Sequence, residues 1–121
     1  MKVKYFPIIT ENVKEMSDFY VSVLQAETAM ADLENYVEVL IEDGFTIAIE
    51  SAASIKGRSG VSIQPSPSVI EFSADNVDEE YARLEKMGVN IVTPPIDHFW
   101  GTRTFYFKDP DGNLLSFYTA L

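Results

Sequence analysis

The chain carries one sequence pattern twice, and this duplication limits its fold more than any other feature. The segments "FPIITENVKEMSDFY" and "IEFSADNVDEEYARL" each hold an apolar run, an acidic residue, and Asn-Val-x-Glu at the start of a stretch with helical spacing. Asn12 and Asn76 mark the same point in the two copies. A repeated unit of this kind predicts two modules of similar structure.

Each module is predicted to contain one amphipathic helix. The asparagine of each copy is suited to cap a helix, and Glu15 or Glu79, three residues later, can return a hydrogen bond to the amide of the cap. Apolar residues then recur at spacings of three and four, which places them on one helical face. Gly88 supplies the left-handed residue that commonly ends a helix. The two helices are therefore expected to cover sheets.

Three β-prone segments follow each helix. In the first copy these are "ETAMAD", "NYVEVLIE" and "FTIAIES", and Asp43-Gly44 predicts a tight turn between the last two. In the second copy they are "VNIVT", "TFYFK" and "LLSFYT", with a turn at "DPDGN". Each half is thus predicted to be β-α-β-β-β, which gives an α+β fold.

The domain boundaries follow from this order. We expect a single domain over residues 1–121, with module one at 1–50 and module two at 68–121. The segment between them, 51–67, is rich in serine, glycine and proline, and we predict a linker or flexible loop with at most a short strand at "VSIQ".

Charge and composition exclude several classes of function. Nineteen acidic side chains against nine basic ones give a formal net charge of −10, so nucleic acids and anionic membranes would be repelled. The absence of cysteine excludes disulfides and thiolate zinc sites. The apolar stretch from Tyr5 to Ile9 is too short for a signal peptide or a membrane span, which predicts a cytoplasmic protein. A cationic or neutral small molecule fits this composition best.

Taken together, the paired modules, "FY" at Phe19 and Tyr20, "WGTR" at 100–103 and "DPDGN" at 109–113 resemble the vicinal oxygen chelate superfamily. That superfamily includes glyoxalase I, extradiol dioxygenases and bleomycin resistance proteins. The resemblance covers nearly the whole chain. It implies a glyoxalase/bleomycin resistance-like fold, in which curled mixed sheets surround a cavity, and commonly a homodimer whose cavities draw on both chains.

The resemblance also indicates where a metal would be held. Metalloenzymes of the superfamily place ligands on the first and the last strand of each module. Here the first-strand positions fall at Tyr5 and Val69, and the last-strand positions at Ser116 and at Glu50 or, on the alternative register, Ala48. One carboxylate cannot hold a catalytic divalent ion. The chain therefore resembles the metal-free, ligand-binding branch, and we expect neither a metal nor another cofactor.

Six positions are predicted to contact a small-molecule ligand: Tyr5, Glu50, Trp100, Arg103, Tyr106 and Ser116. Several have structural alternatives. Trp100 could line a pocket or a dimer contact, Arg103 could bind a ligand carboxylate or pair with an acidic residue, and Glu50 could face the cavity or end its strand in water. His98, the sole histidine, is expected to be a solvated loop residue.

Three functions remain open. The first is a metal-independent binding protein that sequesters a cationic or aromatic antibiotic, as bleomycin resistance proteins do, with no catalytic residue. The alternative is a metal-dependent lyase or dioxygenase with an atypical site around Glu50 or His98. A third is an interaction protein whose cavity is filled with side chains. The sequence favours binding over catalysis.

Overall fold

The computed structural model describes all 121 residues, which divide into two compact units, Met1–Ser66 and Pro67–Leu121. The elements of unit 1 are β1 (Tyr5–Ile9), α1 (Val13–Leu24), β2 (Glu27–Asp32), β3 (Tyr36–Leu40), β4 (Thr46–Glu50) and α2 (Ala52–Ser59). The elements of unit 2 are β5 (Val69–Ser73), α3 (Val77–Lys86), β6 (Asn90–Ile91), β7 (Ile96–Asp97), β8 (Thr102–Lys108) and β9 (Leu114–Ala120).

Both units contain a mixed sheet of the same topology. The strand order is β1-β4-β3-β2 in unit 1 and β5-β9-β8-β6 in unit 2, where the short β7 also pairs with β8. The first strand of each unit pairs in parallel with the last, and the other pairs are antiparallel. The predicted β-α-β-β-β order and the α+β class are confirmed, with β7 as one addition.

The sheet of unit 1 buries one face beneath α1. All five residues of β4 are buried. Successive side chains of a strand point to opposite faces, and the buried aliphatic residues on the α1 side of β1, β3 and β4 follow that alternation. They are Ile8, Val37, Val39, Ile47 and Ile49. The helix, which contacts β3 and β4, buries Val13, Met16, Tyr20 and Val23. Each such side chain contributes on the order of 1.5–3 kcal/mol when it leaves water.

Unit 2 repeats this arrangement with aromatic side chains. Phe105, Phe107 and Phe117 are buried on the face of β8 and β9 that lies beneath α3. The ring of Tyr81 on α3 meets Phe105 edge-on, with 5.5 Å between ring centroids. Edge-to-face contacts of this kind add to the free energy gained by burial.

The predicted helix starts are confirmed, and the two caps differ. Asn76 has an extended backbone, and its side chain accepts a hydrogen bond from the Glu79 amide at 3.1 Å. Asn12 has φ −123° and ψ 59° and its side chain makes no capping bond to α1. A capping side chain reaches the first turn only from extended backbone, so the predicted capping box is wrong for α1. The Thr10 hydroxyl instead accepts a hydrogen bond from the Asn12 amide.

The segment between the modules is more ordered than the sequence predicts. Residues 52–59 form the helix α2, whereas "VSIQ" at 61–64 has no regular structure, so the predicted loop and short strand are both corrected. The Ser51 hydroxyl caps this helix by accepting from the Ser54 amide at 3.1 Å, and Gly60 ends it with φ 74°. None of the three helices has the length and hydropathy needed to cross a bilayer.

The turn at residues 109–113 has the structural role that its sequence predicts. Asp109 is buried, and its carboxylate accepts hydrogen bonds from the amides of Asp111 and Asn113 and from the side-chain amide of Asn113 at 2.7 Å. The Asn113 side-chain oxygen in turn accepts from the Ser68 amide at 2.8 Å. This network joins the entry to β5 to the β8–β9 turn.

We expect Asn113→Ala to lower the free energy of unfolding by about 2 kcal/mol, because it removes two hydrogen bonds and leaves a buried carboxylate under-satisfied. Urea unfolding followed by circular dichroism measures the change. Asn90→Ala, at an exposed position, is the control and should change stability by less than about 0.5 kcal/mol. Equal effects of the two substitutions would contradict the role given to the turn.

Candidate functional site

The sheet face of unit 1 that is turned away from α1 carries aromatic and acidic side chains. On β3, Tyr36 is opposite Glu50 of β4, and Glu38 is opposite Ala48. Tyr5 of β1 belongs to the same face, because it pairs with Thr46, two residues before Ala48. We call this surface the tyrosine-acid face and define it by Tyr5, Tyr36, Glu38, Ala48 and Glu50.

Glu50 is the most constrained group of this face. Its side chain has no exposed surface, yet it carries a carboxylate. The Arg58 guanidinium donates two hydrogen bonds to it, from Nη2 to Oε1 at 2.8 Å and from Nε to Oε2 at 3.2 Å. The Ser54 hydroxyl donates a third bond to Oε2 at 2.8 Å. A buried carboxylate needs such compensation, because removing an ionised group from water is costly.

Both donors to Glu50 come from α2. Ser54 and Arg58 are four residues apart and therefore lie on one face of the helix. The start of the helix is tied to the β2–β3 turn, because the Ser51 hydroxyl donates to the Asn35 side chain at 3.0 Å and the Ser51 amide donates to the Asn35 carbonyl at 2.8 Å. The Glu50 carboxylate raises the pKa of Arg58 above its ordinary value, chiefly by accepting its hydrogen bonds.

Tyr36 and Glu38 form the second polar pair of the face. The Tyr36 hydroxyl donates to Glu38 Oε2 at 2.8 Å. Partial burial and then the bond to Glu38 raise the pKa of Tyr36 to about 12, with smaller contributions from the charges of Glu38 and Glu50 and from Tyr5. Glu38 pairs with no lysine or arginine, and Tyr5, two strands away on the same face, is 54% exposed.

Tyr106 and Ser116 share the corresponding face of unit 2. They are directly opposite on β8 and β9, and Ser116 is also opposite Glu71 of β5. The fully buried Ser116 hydroxyl donates to Glu71 Oε1 at 3.3 Å. Of the six predicted positions, Tyr5 and Glu50 therefore share one sheet face in unit 1, and Tyr106 and Ser116 share one sheet face in unit 2.

Arg103 and Trp100 lie elsewhere. Arg103 projects on the α3 side of its sheet, where it donates to Asp78 at 3.0 Å and to Asp97 at 2.9 Å, and these carboxylates raise its pKa. Trp100 is 61% exposed and stacks on His98 with 4.3 Å between ring centroids and 5° between planes. His98 is half-buried, and the expectation that it is solvated is wrong for its Nε2 atom, which is buried and has no hydrogen-bond partner.

An open cleft of about 540 Å³ lies beside the start of α1. It contains none of the six predicted positions. Its wall is formed by Glu11, Asn12, Val13, Lys14, Glu15, Asp18, Leu33 and Glu34. The charge of Asp18 is already matched by Lys14 at 2.8 Å. The tyrosine-acid face, which combines aromatic rings with an unpaired carboxylate, is the stronger candidate site.

Comparison with known proteins decides the family. The model of the Glyoxalase/Bleomycin resistance protein/Dioxygenase superfamily matches residues 2–117. The chain belongs to this superfamily. The protein YraH of Bacillus subtilis (strain 168), which is described as uncharacterized, is 29% identical over 130 residues, with all of both chains covered.

Solved structures of the superfamily share the fold. A glyoxalase/bleomycin resistance protein/dioxygenase from Nocardioides has a TM-score of 0.82 and 22% identity, covering 100% of this chain and 84% of its own. Lactoylglutathione lyase from Agrobacterium tumefaciens has a TM-score of 0.83 and 15% identity, covering 98% and 92%. These likenesses confirm the predicted glyoxalase/bleomycin resistance-like fold and, at such identities, establish no activity.

The strand register resolves which residue of unit 1 corresponds to Ser116. In unit 2, Ser116 pairs with Glu71, the third residue of the first strand. In unit 1, the third residue of the first strand is Pro7, which pairs with Ala48. Ala48, rather than Glu50, is therefore the counterpart of Ser116. Glu50 lies two residues further along, at the end of β4.

The superfamily's metal positions in this chain consequently hold no carboxylate. They are Tyr5, Ala48, Val69 and Ser116. Alanine and valine offer no donor atom, and neutral hydroxyl groups are weak ligands for a divalent ion. Nowhere in the chain do three histidine, cysteine, aspartate or glutamate side chains come together in a group able to hold a metal ion. The residues present do not fit the metal of the superfamily's metalloenzymes.

Nothing in the sequence singles out Ser54 or Arg58, and alternation along "YVEVLIE" leaves open whether Glu38 faces a cavity or solvent. The helix signal was present, since Ser51 is a good cap and Gly60 a good terminator, but α2 lacks the apolar stripe that identifies a longer helix. Without α2, nothing in the sequence brings Arg58 to Glu50. The ionic contact is a consequence of the turn between β4 and the helix.

We expect a difference titration of wild type against Tyr36→Phe to show one tyrosine with a pKa of about 12. Glu38→Gln should lower that pKa only partly, because burial is its larger cause. The raised pKa means that the folded protein binds this proton more tightly, so stability should fall as pH rises from about 10 to about 12. Ultraviolet tyrosinate absorption measures the pKa, and an unchanged pKa in Glu38→Gln would contradict the assigned contact.

Proposed function

We propose that this protein binds a small aromatic cation on its tyrosine-acid face and sequesters it without metal chemistry. The observation that supports this most directly is the combination of Tyr5, Tyr36 and Glu38 on one sheet face. Rings attract cations through their negative faces, and a carboxylate that lacks a basic partner adds charge attraction. A cationic antibiotic is one ligand of this class.

The residues at the superfamily's metal positions support binding of an organic molecule by direct contact rather than by coordination to a metal ion. The superfamily's four metal positions hold tyrosine, alanine, valine and serine, and these favour van der Waals and hydrogen-bond contact with an organic molecule. The net charge of −10 would raise the local concentration of a cationic ligand and its association rate.

The other predicted contacts also remain proposals. Tyr106, which is half-buried, lies opposite the fully buried Ser116 on unit 2, and the exposed Trp100 ring is available for stacking. Arg103 is engaged with two carboxylates, and we leave it outside the proposed site. A homodimer with shared cavities and a cytoplasmic location also stay predictions.

The test is a thermal-shift and calorimetry screen of aromatic cations, including a basic glycopeptide antibiotic, with a neutral analogue of each compound. A ligand at about one hundred times its Kd should stabilise the protein by about 2.7 kcal/mol. We expect cations, and not their neutral analogues, to bind. Glu38→Gln and Tyr5→Ala should each weaken binding by about fivefold, since each removes roughly 1 kcal/mol of cation contact.

Glu79→Gln is the matched control, because it removes one carboxylate from α3 and should leave binding unchanged. Elemental analysis of the same preparation addresses the alternative of a metal-dependent lyase or dioxygenase. About one tightly held divalent ion per chain, or the absence of binding by every cation in the screen, would refute the proposal.

A further inference from the structure

Glu50 already holds a planar cation supplied by the chain itself. The Arg58 guanidinium meets the carboxylate edge to edge, with one nitrogen on each oxygen, which is the geometry that a carboxylate offers to any forked guanidinium or amidinium. The two partners differ in environment. Glu50 is fully buried, whereas 59% of the Arg58 side chain is exposed.

The helix that carries Arg58 has little else to hold its second half. No residue of α2 is fully buried, and after the half-buried Ile55 every residue of the helix is exposed, so its second half gains little from apolar packing. Its ties to the rest of unit 1 are the hydrogen bonds of Ser51 to Asn35 at its start and those of Ser54 and Arg58 to Glu50. Helices of this length derive most of their stability from tertiary contact. Releasing Arg58 would therefore loosen the last turn of α2.

We propose that Arg58 is a displaceable occupant of a cation site on Glu50, and that a ligand bearing a guanidinium or amidinium group replaces it while the end of α2 opens. This inference rests on the proposed function and narrows its ligand class. Glu50 is the next residue after Ala48 on the same face of β4, and it is opposite Tyr36. A ligand on the tyrosine-acid face therefore has its charged group within reach of this carboxylate.

A planar forked cation matches the site better than an ammonium group or a metal ion. Glu50 accepts through both oxygens in one plane, and the Ser54 hydroxyl supplies a further polar contact at Oε2. An ammonium group is a compact point charge and lacks the two parallel N–H donors that match the two carboxylate oxygens. A divalent ion would need further carboxylate or imidazole ligands, and Glu50 belongs to no group of three or more histidine, cysteine, aspartate or glutamate side chains.

Arg58 should make the site selective at the expense of affinity. A tethered competitor has a high effective concentration, on the order of millimolar for a short link, so an incoming cation binds only the fraction of molecules in which Arg58 is released. Removing the competitor should therefore tighten binding of a small cation by about tenfold or more.

The experiment uses benzamidinium as the probe, with benzylammonium and neutral benzamide as comparisons, on the full chain by calorimetry. We expect Arg58→Ala to bind benzamidinium at least about tenfold more tightly than wild type. Benzylammonium should gain less and benzamide nothing. The double variant Arg58→Ala with Glu50→Gln should lose the gain. Arg83→Ala, which removes an arginine from α3, is the control and should match wild type.

Hydrogen exchange of the wild-type protein provides a second measurement that needs no variant. With benzamidinium saturating, the amides at the end of α2, including that of Gly60, should exchange faster than in the free protein. If Arg58→Ala folds only when benzamidinium is present, that rescue supports the inference, because the probe replaces the missing guanidinium. Equal affinities of wild type and Arg58→Ala, or unchanged exchange in α2, would overturn it.

These outcomes separate the inference from the proposed function. If wild type binds aromatic cations through Tyr5 and Glu38 while Arg58→Ala and Glu50→Gln change nothing, the proposed function stands and the displaceable occupant does not. If Arg58→Ala binds benzamidinium through Glu50 while wild type binds no cation of the screen, the cation site on Glu50 stands and the proposed function does not.

Discussion

Alternation of side chains along the β-strands governs both the core and the candidate site. One helix covers one face of each sheet, so every second residue of a strand is available for hydrophobic burial and the others must find a different role. In unit 1 the covered set is aliphatic, with Val37 and Val39 under α1. The opposite set, on the same strands, is Tyr36 and Glu38. A shift of one residue in register would exchange the two faces, and the core therefore fixes the site.

Glu50 adds an electrostatic constraint to this geometry. It ends a strand whose five residues are all buried, so its carboxylate cannot reach water and must be neutralised within the chain. The β4–α2 turn satisfies that need by returning Ser54 and Arg58 to the strand end. The same arrangement that stabilises the carboxylate also shields it from solvent, so the displacement that we propose would couple the local stability of α2 to ligand access to Glu50.

Membership of the superfamily and the chemistry of this chain have different physical origins. The fold depends on repeated apolar patterns and turn residues, and it tolerates the low identities seen among its relatives. The resemblance places the metal donors of the superfamily's metalloenzymes at four positions, which correspond here to Tyr5, Ala48, Val69 and Ser116. Residues at so few positions can differ without altering the apolar pattern of the core, so the fold does not by itself determine the ligand.

Short-range periodicity and local hydrogen bonds encode the duplicated topology, the positions of α1 and α3, most of the strands and the turn at Asp109–Asn113, so these features can be predicted from the sequence alone. The correspondence of Ala48 rather than Glu50 to Ser116, the pairing of Arg103 with Asp78 and the contact of Arg58 with Glu50 become evident only in the folded chain. Strand register and contacts across loops join residues that are distant in sequence or separated by a turn, and no local pattern specifies them. The helix α2 is an intermediate case. Its capping residue, Ser51, can be recognised in the sequence, but the contacts with Glu50 that hold the helix can be seen only in the structure.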